Sequence, residues 1–510
     1  MTSISEFART RPDHPAAIVY ETGASISFAE LENASRNVAN ELVRRGLQYG
    51  DRVAILMENS LEYFIAMWAV RRAGMYIVPV NWHLRQNEIR HILENSQSRG
   101  LIASESLRHL AEDACPESAG PHVRMVSGES IAGWLAFDEI VARPRGGPVR
   151  AERDGAPMYY TGGTTGAPKG ILRPLSGEAF GAASLVEQVF TPTYGLGAET
   201  RYLSPAPMYH AAPIGWTMMV QRVGGCVILL QSFDAERALA AIDEYRVTHA
   251  QFVPTHFVRM LKLSDEVRSA YTLRSLEYVI HAAAPCPETV KAKMLDWVGP
   301  KVFEYYGGSE RCGFTAIGPE EAMSHPGSVG RSLHGGMHIL DPESGRELPH
   351  GEAGLVYFDR AEHFEYYGQP GQSAKCFNDA GWGTMGDVGY LDKEGYLFLV
   401  DRLSNMIISG GVNIYPQEIE DSLIEHPDVL DVAVLGIPDD EYGQRVHAVI
   451  VPSASAASDP ELVSRLDQHC RSRIAGYKRP KTYEFVSELP RLPSGKLQKR
   501  ILYERRAPQS

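Results

Sequence analysis

The stretch that most constrains this chain is Tyr160-Thr161-Gly162-Gly163-Thr164-Thr165-Gly166-Ala167-Pro168-Lys169-Gly170. Its glycines permit positive φ and close approach to a ligand, so successive N–H groups can converge into an anion-binding nest. The threonine hydroxyls add donors, and Lys169 adds a positive charge directly after the nest. Polyphosphate is the ligand that this chemistry suits. A flexible glycine-rich surface turn has a similar composition. A Walker A loop does not fit, because no Gly-Lys-Ser/Thr closes the run and Lys169 follows Pro168.

Around this loop the chain alternates strand and helix signals. Ser27 and Glu30 form a capping box ahead of Leu31, Ala34, Val38 and Leu42 at helical spacing, and Gly46 ends the run. Buried strands are predicted over 51–57, 75–80, 225–230, 250–253 and 278–283, and helices over 61–72, 87–94, 235–245 and 288–297. Strands alternating with helices imply parallel sheets covered on both faces. Residues 116–154 carry little signal and read as loop-rich. From about 327 to 400 short glycine-punctuated strands predict a smaller β-rich subdomain, and beyond 401 a compact α+β portion follows. In that portion the pattern predicts helices over 416–425 and 459–474, with strands over 429–436, 446–451 and 482–486. The expected class is α/β: a large N-terminal domain of mainly parallel sheets plus a β-rich subdomain, and a small α+β C-terminal domain.

At 510 residues, two or more domains are expected. No run approaches 18 apolar residues, so no transmembrane segment is expected, and the first residues lack the basic and apolar regions of a secretory signal. The six cysteines form no Cys-x-x-Cys pair, which fits a reducing, cytoplasmic location without zinc or disulfide frameworks. A net charge of −13 argues against nucleic-acid binding. Residues 471–506 nonetheless hold eleven Lys/Arg against three Glu, either a solvated face or a surface for a polyanionic cosubstrate.

Four further stretches carry chemistry. Tyr305-Tyr306-Gly307-Gly308-Ser309-Glu310 follows a predicted strand, and Glu310 suits Mg²⁺, which takes one or two carboxylates plus phosphate oxygens and water. Gly386-Asp387 offers a carboxylate that can accept a pair of ribose hydroxyls. Asp401-Arg402-Leu403-Ser404 opens a long run through Gly411 to Glu420, and Leu492-Pro493-Ser494-Gly495-Lys496 places a lysine on a turn near the end. There is no Gly-x-Ser-x-Gly elbow and no His-Glu-x-x-His.

In this order, and over nearly the whole chain, these motifs resemble the adenylate-forming superfamily: acyl- and aryl-CoA synthetases, luciferases and peptide-synthetase adenylation domains. Gly162, Ser309, Met385 and Ser404 stand where the family usually has Ser, Thr, Thr and Asp or Lys. Gly-Gly versions of the loop are similar to those of synthetases for steroid side-chain acids. The resemblance implies that Thr161, Gly162, Gly163, Thr164, Thr165, Gly166 and Lys169 hold the phosphates of ATP. Thr165 and Glu310 would hold Mg²⁺, while Ala284, Tyr306, Gly307 and Ser309 border adenine. Asp387 and Arg402 would take the ribose. Ala211, Ala212, Trp216, Ala282, Ala283, Gly308 and Phe314 would line the acyl site, where little bulk suggests room for a large acid. His210 matches a position beside that site, as a catalytic group or as a histidine packed on an aromatic. Lys496 would stabilise charge developing at the α-phosphate. Coenzyme A would meet Gly411, Tyr442, Tyr477, Arg479 and Lys481.

The implied enzyme is a carboxylic acid–CoA ligase: the carboxylate attacks ATP to give acyl-AMP and pyrophosphate, then a thiolate gives the thioester and AMP. The alternatives are a stand-alone adenylation enzyme serving a carrier protein, a luciferase-like oxygenase and a non-catalytic nucleotide-binding protein. The implied domains are 1–401, a hinge at 402–404 and a mobile unit at 405–510. The expected partners are a small carboxylic acid, ATP and CoA, with a homodimer left open.

Overall fold

Runs of Val, Ile, Leu and Ala with no polar face, such as Arg52–Leu56 and Tyr76–Pro79, belong to strands covered on both sides. The computed structural model describes residues 3–114, 120–129, 131–149, 152–161, 168–454, 456–491 and 497–506. One sheet is wholly parallel, in the order Leu135–Ala136, Val123–Ser127, Gly100–Ser104, Arg52–Leu56, Tyr76–Pro79 and Ala156–Pro157. A second, nine-stranded sheet has a parallel centre: Pro15–Val19, Cys226–Leu229, Arg201–Ser204, His249–Phe252, Tyr278–His281 and Val302–Gly307. Phe314–Ile317 and Arg331–Ser332 extend it antiparallel at one edge.

The shared core between these sheets contains the helix Leu61–Arg72, whose residues from Tyr63 to Arg72 are all buried. A helix apolar nearly all round must sit inside, and its two terminal arginines therefore need partners. Arg71 reaches Asp154 at 2.8 Å and Glu187 at 3.0 Å, and Arg222 adds a 3.2 Å contact to Glu187. Burial alone would raise the Glu187 carboxyl, but Arg71 and Arg222 override it and hold the group at about 2.

The predicted capping box on Ser27 and Glu30 is present. The weakly signalled region 116–154 is more ordered than expected: it supplies the strand Val123–Ser127 and the short helix Phe137–Val141. Elements this short show too few periods to be read from pattern. The helix expected over 459–474 is shorter, Leu462–Arg471. The β-rich part is a four-stranded antiparallel sheet of Met337–Leu340, Gly354–Phe358, Gly383–Leu391 and Leu397–Arg402. A small three-stranded sheet joins Tyr159–Thr161, Lys169–Leu172 and Glu365–Tyr366. After Arg402 a tight turn, Leu403–Asn405, leads to an α+β unit built on the long hairpin Val429–Asp439 and Gly443–Pro452. Among the described residues no helix is long and apolar enough to cross a membrane.

Candidate active site

Open parallel sheets present their ligand sites at the carboxyl ends of the strands. Here Tyr278–His281 and Val302–Gly307 are parallel neighbours with His281 opposite Glu304, so residues 282–284 and 307–310 emerge side by side. Two non-glycine residues there lie in the left-handed region, Ala283 at φ 77° and Arg311 at φ 57°. Such positions cost about 1–3 kcal/mol each and persist only where the surroundings enforce them. The backbone flanking the Gly307–Glu310 turn is thus held on both sides.

The antiparallel pairing of Gly383–Leu391 with Leu397–Arg402 sets Asp387 opposite Arg402. The buried Asp387 carboxylate accepts from Tyr306 Oη at 2.5 Å on one oxygen and from Arg402 Nε at 3.0 Å on the other. Burial and the Asp387 charge push the Tyr306 phenol well up, which keeps it a donor. With one donor on each oxygen, the carboxylate is locked in plane and keeps lone pairs for a vicinal diol.

Glu310 follows the same turn. Its Oε1 accepts from Tyr366 Oη at 3.0 Å, and Ser309 O accepts from Arg173 Nη1 at 2.6 Å. Burial and the adjacent Arg311 guanidinium pull Arg173 down to about 9. Lys169 Nζ lies 5.4 Å from the centroid of the Tyr366 ring, within cation–π range. Among the described residues no group of three or more His, Cys, Asp or Glu could cage a metal. A single carboxylate such as Glu310 suits Mg²⁺, which would complete its shell with phosphate oxygens and water.

Thr161 pairs with Lys169 across the hairpin that frames the loop. Gly162, Gly163, Thr164, Thr165, Gly166 and Lys496 lie outside the described residues. The expected acyl residues fall into two groups. Ala282, Ala283 and Gly308 sit at the strand ends with Gly307, expected at the adenine, and the direction a Cβ would take from either glycine is occupied. A Cβ on Gly307 would stand 2.4 Å from Phe314 Cδ1, and one on Gly308 would stand 2.6 Å from Met385 Sδ. At these two positions the missing side chains admit Phe314 and Met385. Trp216, 1% exposed, forms a floor with Tyr305, Phe190 and Tyr194 rather than an open wall. Ala211 and Ala212 open the helix Ala211–Arg222, and the Ala211 carbonyl accepts from Tyr159 Oη at 3.3 Å. His210 caps that helix, with its ring 4.5 Å from Tyr209. Beyond Phe314 a cleft runs along Leu185, Val186 and Val189, rimmed by Arg311 and Arg360. Sequence reasoning missed Tyr366 and Arg173, which belong to no recognisable motif, and the helix Leu185–Thr193, whose pattern is broken by Pro192.

In the C-terminal unit, Ile407–Ser409 and Thr482–Phe485 both pair with Gly443–Pro452. Gly410 N donates to Tyr442 O at 2.9 Å, and Lys481 N donates to Val446 O at 2.8 Å. The turn bearing Gly411, Tyr442 and the basic segment 477–481 are therefore gathered along one strand. Gly411 has φ 79° with no atom within 4 Å of where a Cβ would lie. Tyr442 and Tyr477 are each 51% exposed, while Arg479 is paired with Asp467 at 3.0 Å.

A buried aspartate held on both oxygens by Tyr306 and Arg402, and the Glu310 carboxylate on the turn after Tyr306, form the candidate site, and a C-terminal α+β unit ending in a Lys/Arg-rich segment follows in the chain. The sequence pattern of the AMP-binding enzyme family matches residues 4–367, and that of the AMP-binding enzyme C-terminal domain matches residues 418–496. The chain belongs to this family, and its class is AMP-forming acid–thiol ligase. It is 34% identical to a feruloyl-CoA synthase from Amycolatopsis sp, over 96% of each chain. It is 31% identical to the fatty acid–[acyl-carrier-protein] ligase ScoC of Streptomyces coeruleorubidus, over 98% of this chain and 94% of that protein. The o-succinylbenzoate CoA synthetase MenE of Bacillus subtilis, solved with its acyl-adenylate intermediate, superimposes with a TM-score of 0.82 at 27% identity, covering 98% of each chain.

Proposed function

We propose that this chain is an ATP- and Mg²⁺-dependent carboxylic acid–CoA ligase. The observation that supports it most is Asp387, held on both oxygens by Tyr306 and Arg402 beside the Glu310 turn. Bound magnesium would neutralise phosphate charge. Asp387 and Arg402 orient the ribose, Lys169 and the 161–166 loop hold the phosphates, and Lys496 stabilises charge at the α-phosphate as the acid attacks. Catalysis of this step is mostly positioning and electrostatics. The C-terminal unit, residues 405–510, then turns about 402–404 to bring Gly411 to the same site, and CoA's phosphates meet Arg479 and Lys481. The exposed aromatics Tyr442 and Tyr477 beside those cations favour a free nucleotide thiol.

ScoC supports a second reading, transfer to a carrier protein. The deciding experiment is acid-dependent AMP release with CoA, with carrier protein and with neither, across aliphatic, aromatic and steroid side-chain acids. CoA-stimulated turnover supports the first reading. Stimulation by carrier protein alone replaces it. We place the reaction in the cytoplasm; sedimentation of the purified protein decides between monomer and homodimer.

A further inference from the structure

We infer that Tyr366 is a positioning residue for the metal-binding carboxylate. Its phenol orients Glu310, and its ring ties that carboxylate to Lys169 at the end of the phosphate loop. The inference rests on the reading of Glu310 as the magnesium ligand. Tyr366 is placed by backbone, not by chance packing. It pairs with Ile171 across the sheet, and Tyr367 N donates to Gly170 O at 2.8 Å. Tyr366 N donates to Ser373 Oγ at 2.9 Å. A backbone so held leaves the ring little freedom, and the ring carries Lys169 Nζ on its face at 5.4 Å.

From there the hydroxyl reaches Glu310 Oε1 at 3.0 Å. The terminal torsion of a glutamate is broad, so a carboxylate with no outer donor rotates freely. One donor on Oε1 fixes the carboxylate plane and leaves Oε2 over Gly308, where an added Cβ would sit 2.8 Å from it. Gly308 therefore keeps Oε2 accessible, and Tyr366 keeps it aimed. Because the same ring packs on Lys169, the phosphate-holding lysine and the metal carboxylate share one rigid support. Outer partners of this kind typically carry 10–100-fold in metal affinity or activity.

The test compares the native protein with Tyr366→Phe and Glu310→Gln. Phe keeps the ring and its contact with Lys169 and removes only the donor. Water-proton relaxation measures Mn²⁺ in the ternary complex with protein and ATP, and a Mg²⁺ activation curve is taken for acid-dependent ATP–pyrophosphate exchange. Tyr366→Phe should weaken Mn²⁺ binding about tenfold and move the Mg²⁺ midpoint by a similar factor. Its kcat at saturating Mg²⁺ should fall by less than that, and ATP affinity in EDTA should match the native protein. If Glu310→Gln weakens Mn²⁺ binding while the Tyr366→Phe curve overlays the native one, the role of Tyr366 is refuted and Glu310 stands. A fall in kcat without a change in metal affinity also refutes it. If neither substitution alters Mn²⁺ binding, the metal reading of Glu310 fails and Tyr366 falls with it.

Discussion

The large domain and the C-terminal unit prepare their functional residues in opposite ways. Asp387 is held by Tyr306 and Arg402, and Glu310 by Tyr366, through hydrogen bonds from residues fixed in paired strands. Gly411, Tyr442 and Tyr477 stand in the open, and the cation Arg479 is lent to a neighbouring aspartate. Stabilising charge in a transition state requires donors already in place. Under the proposed rotation, receiving a second substrate requires a surface that is free until it docks.

The largest effect should come from separating the two halves. Lys496→Ala should lower acyl-AMP formation by about 10²–10³ yet still convert supplied acyl-AMP and CoA to thioester. Gly411→Leu should do the reverse, since a side chain would fill the open space at φ 79° and strain the turn. Single-turnover rates of each half-reaction check this, and equal losses in both would mean one fixed arrangement serves both steps. Glu310→Gln keeps shape and removes charge. It should cost about two orders of magnitude in adenylation at ordinary Mg²⁺, read from the pyrophosphate-exchange rate against metal concentration.

Acid should also distinguish the halves. Glu187 is held at about 2 against an ordinary 4.5, so its contribution is complete above pH 4.5 and is lost as pH falls from there toward 2. That contribution is on the order of 3 kcal/mol. In the C-terminal unit the pair of Arg479 with Asp467 is about a quarter exposed and contributes little. Calorimetry across this range should show the large domain losing its transition first; simultaneous loss would contradict the contrast. The smallest effect concerns CoA. Arg479→Ala should raise the CoA KM about tenfold, leaving the ATP KM nearly unchanged. Asp467→Asn, which frees Arg479, should lower the CoA KM a few-fold.

The elements most legible in the chain were those whose signals are local. The Ser27–Glu30 box, the helix Leu61–Arg72 and the helix Pro416–Ile424 lie where caps and apolar periodicity placed them. Asp387, Glu310 and Arg402 were singled out because the motifs that carry them resemble those of the family. Phe314 over Gly307 and Met385 over Gly308 were not. Composition reports that a glycine lacks a side chain, and cannot report whose side chain uses the gap.

Residue type, spacing and the family resemblance they carry thus pointed to the chemistry expected of the chain: a phosphate loop, a metal carboxylate, a ribose carboxylate and a terminal lysine, in an alternating α/β chain. Contacts across long separations were decided by the tertiary structure. Tyr366 meets Glu310 fifty-six residues away, and Tyr306 meets Asp387 across eighty-one. Hydrogen bonds and van der Waals contacts act over a few ångströms, so which distant side chains come within reach depends on sheet order and register. No local pattern encodes either.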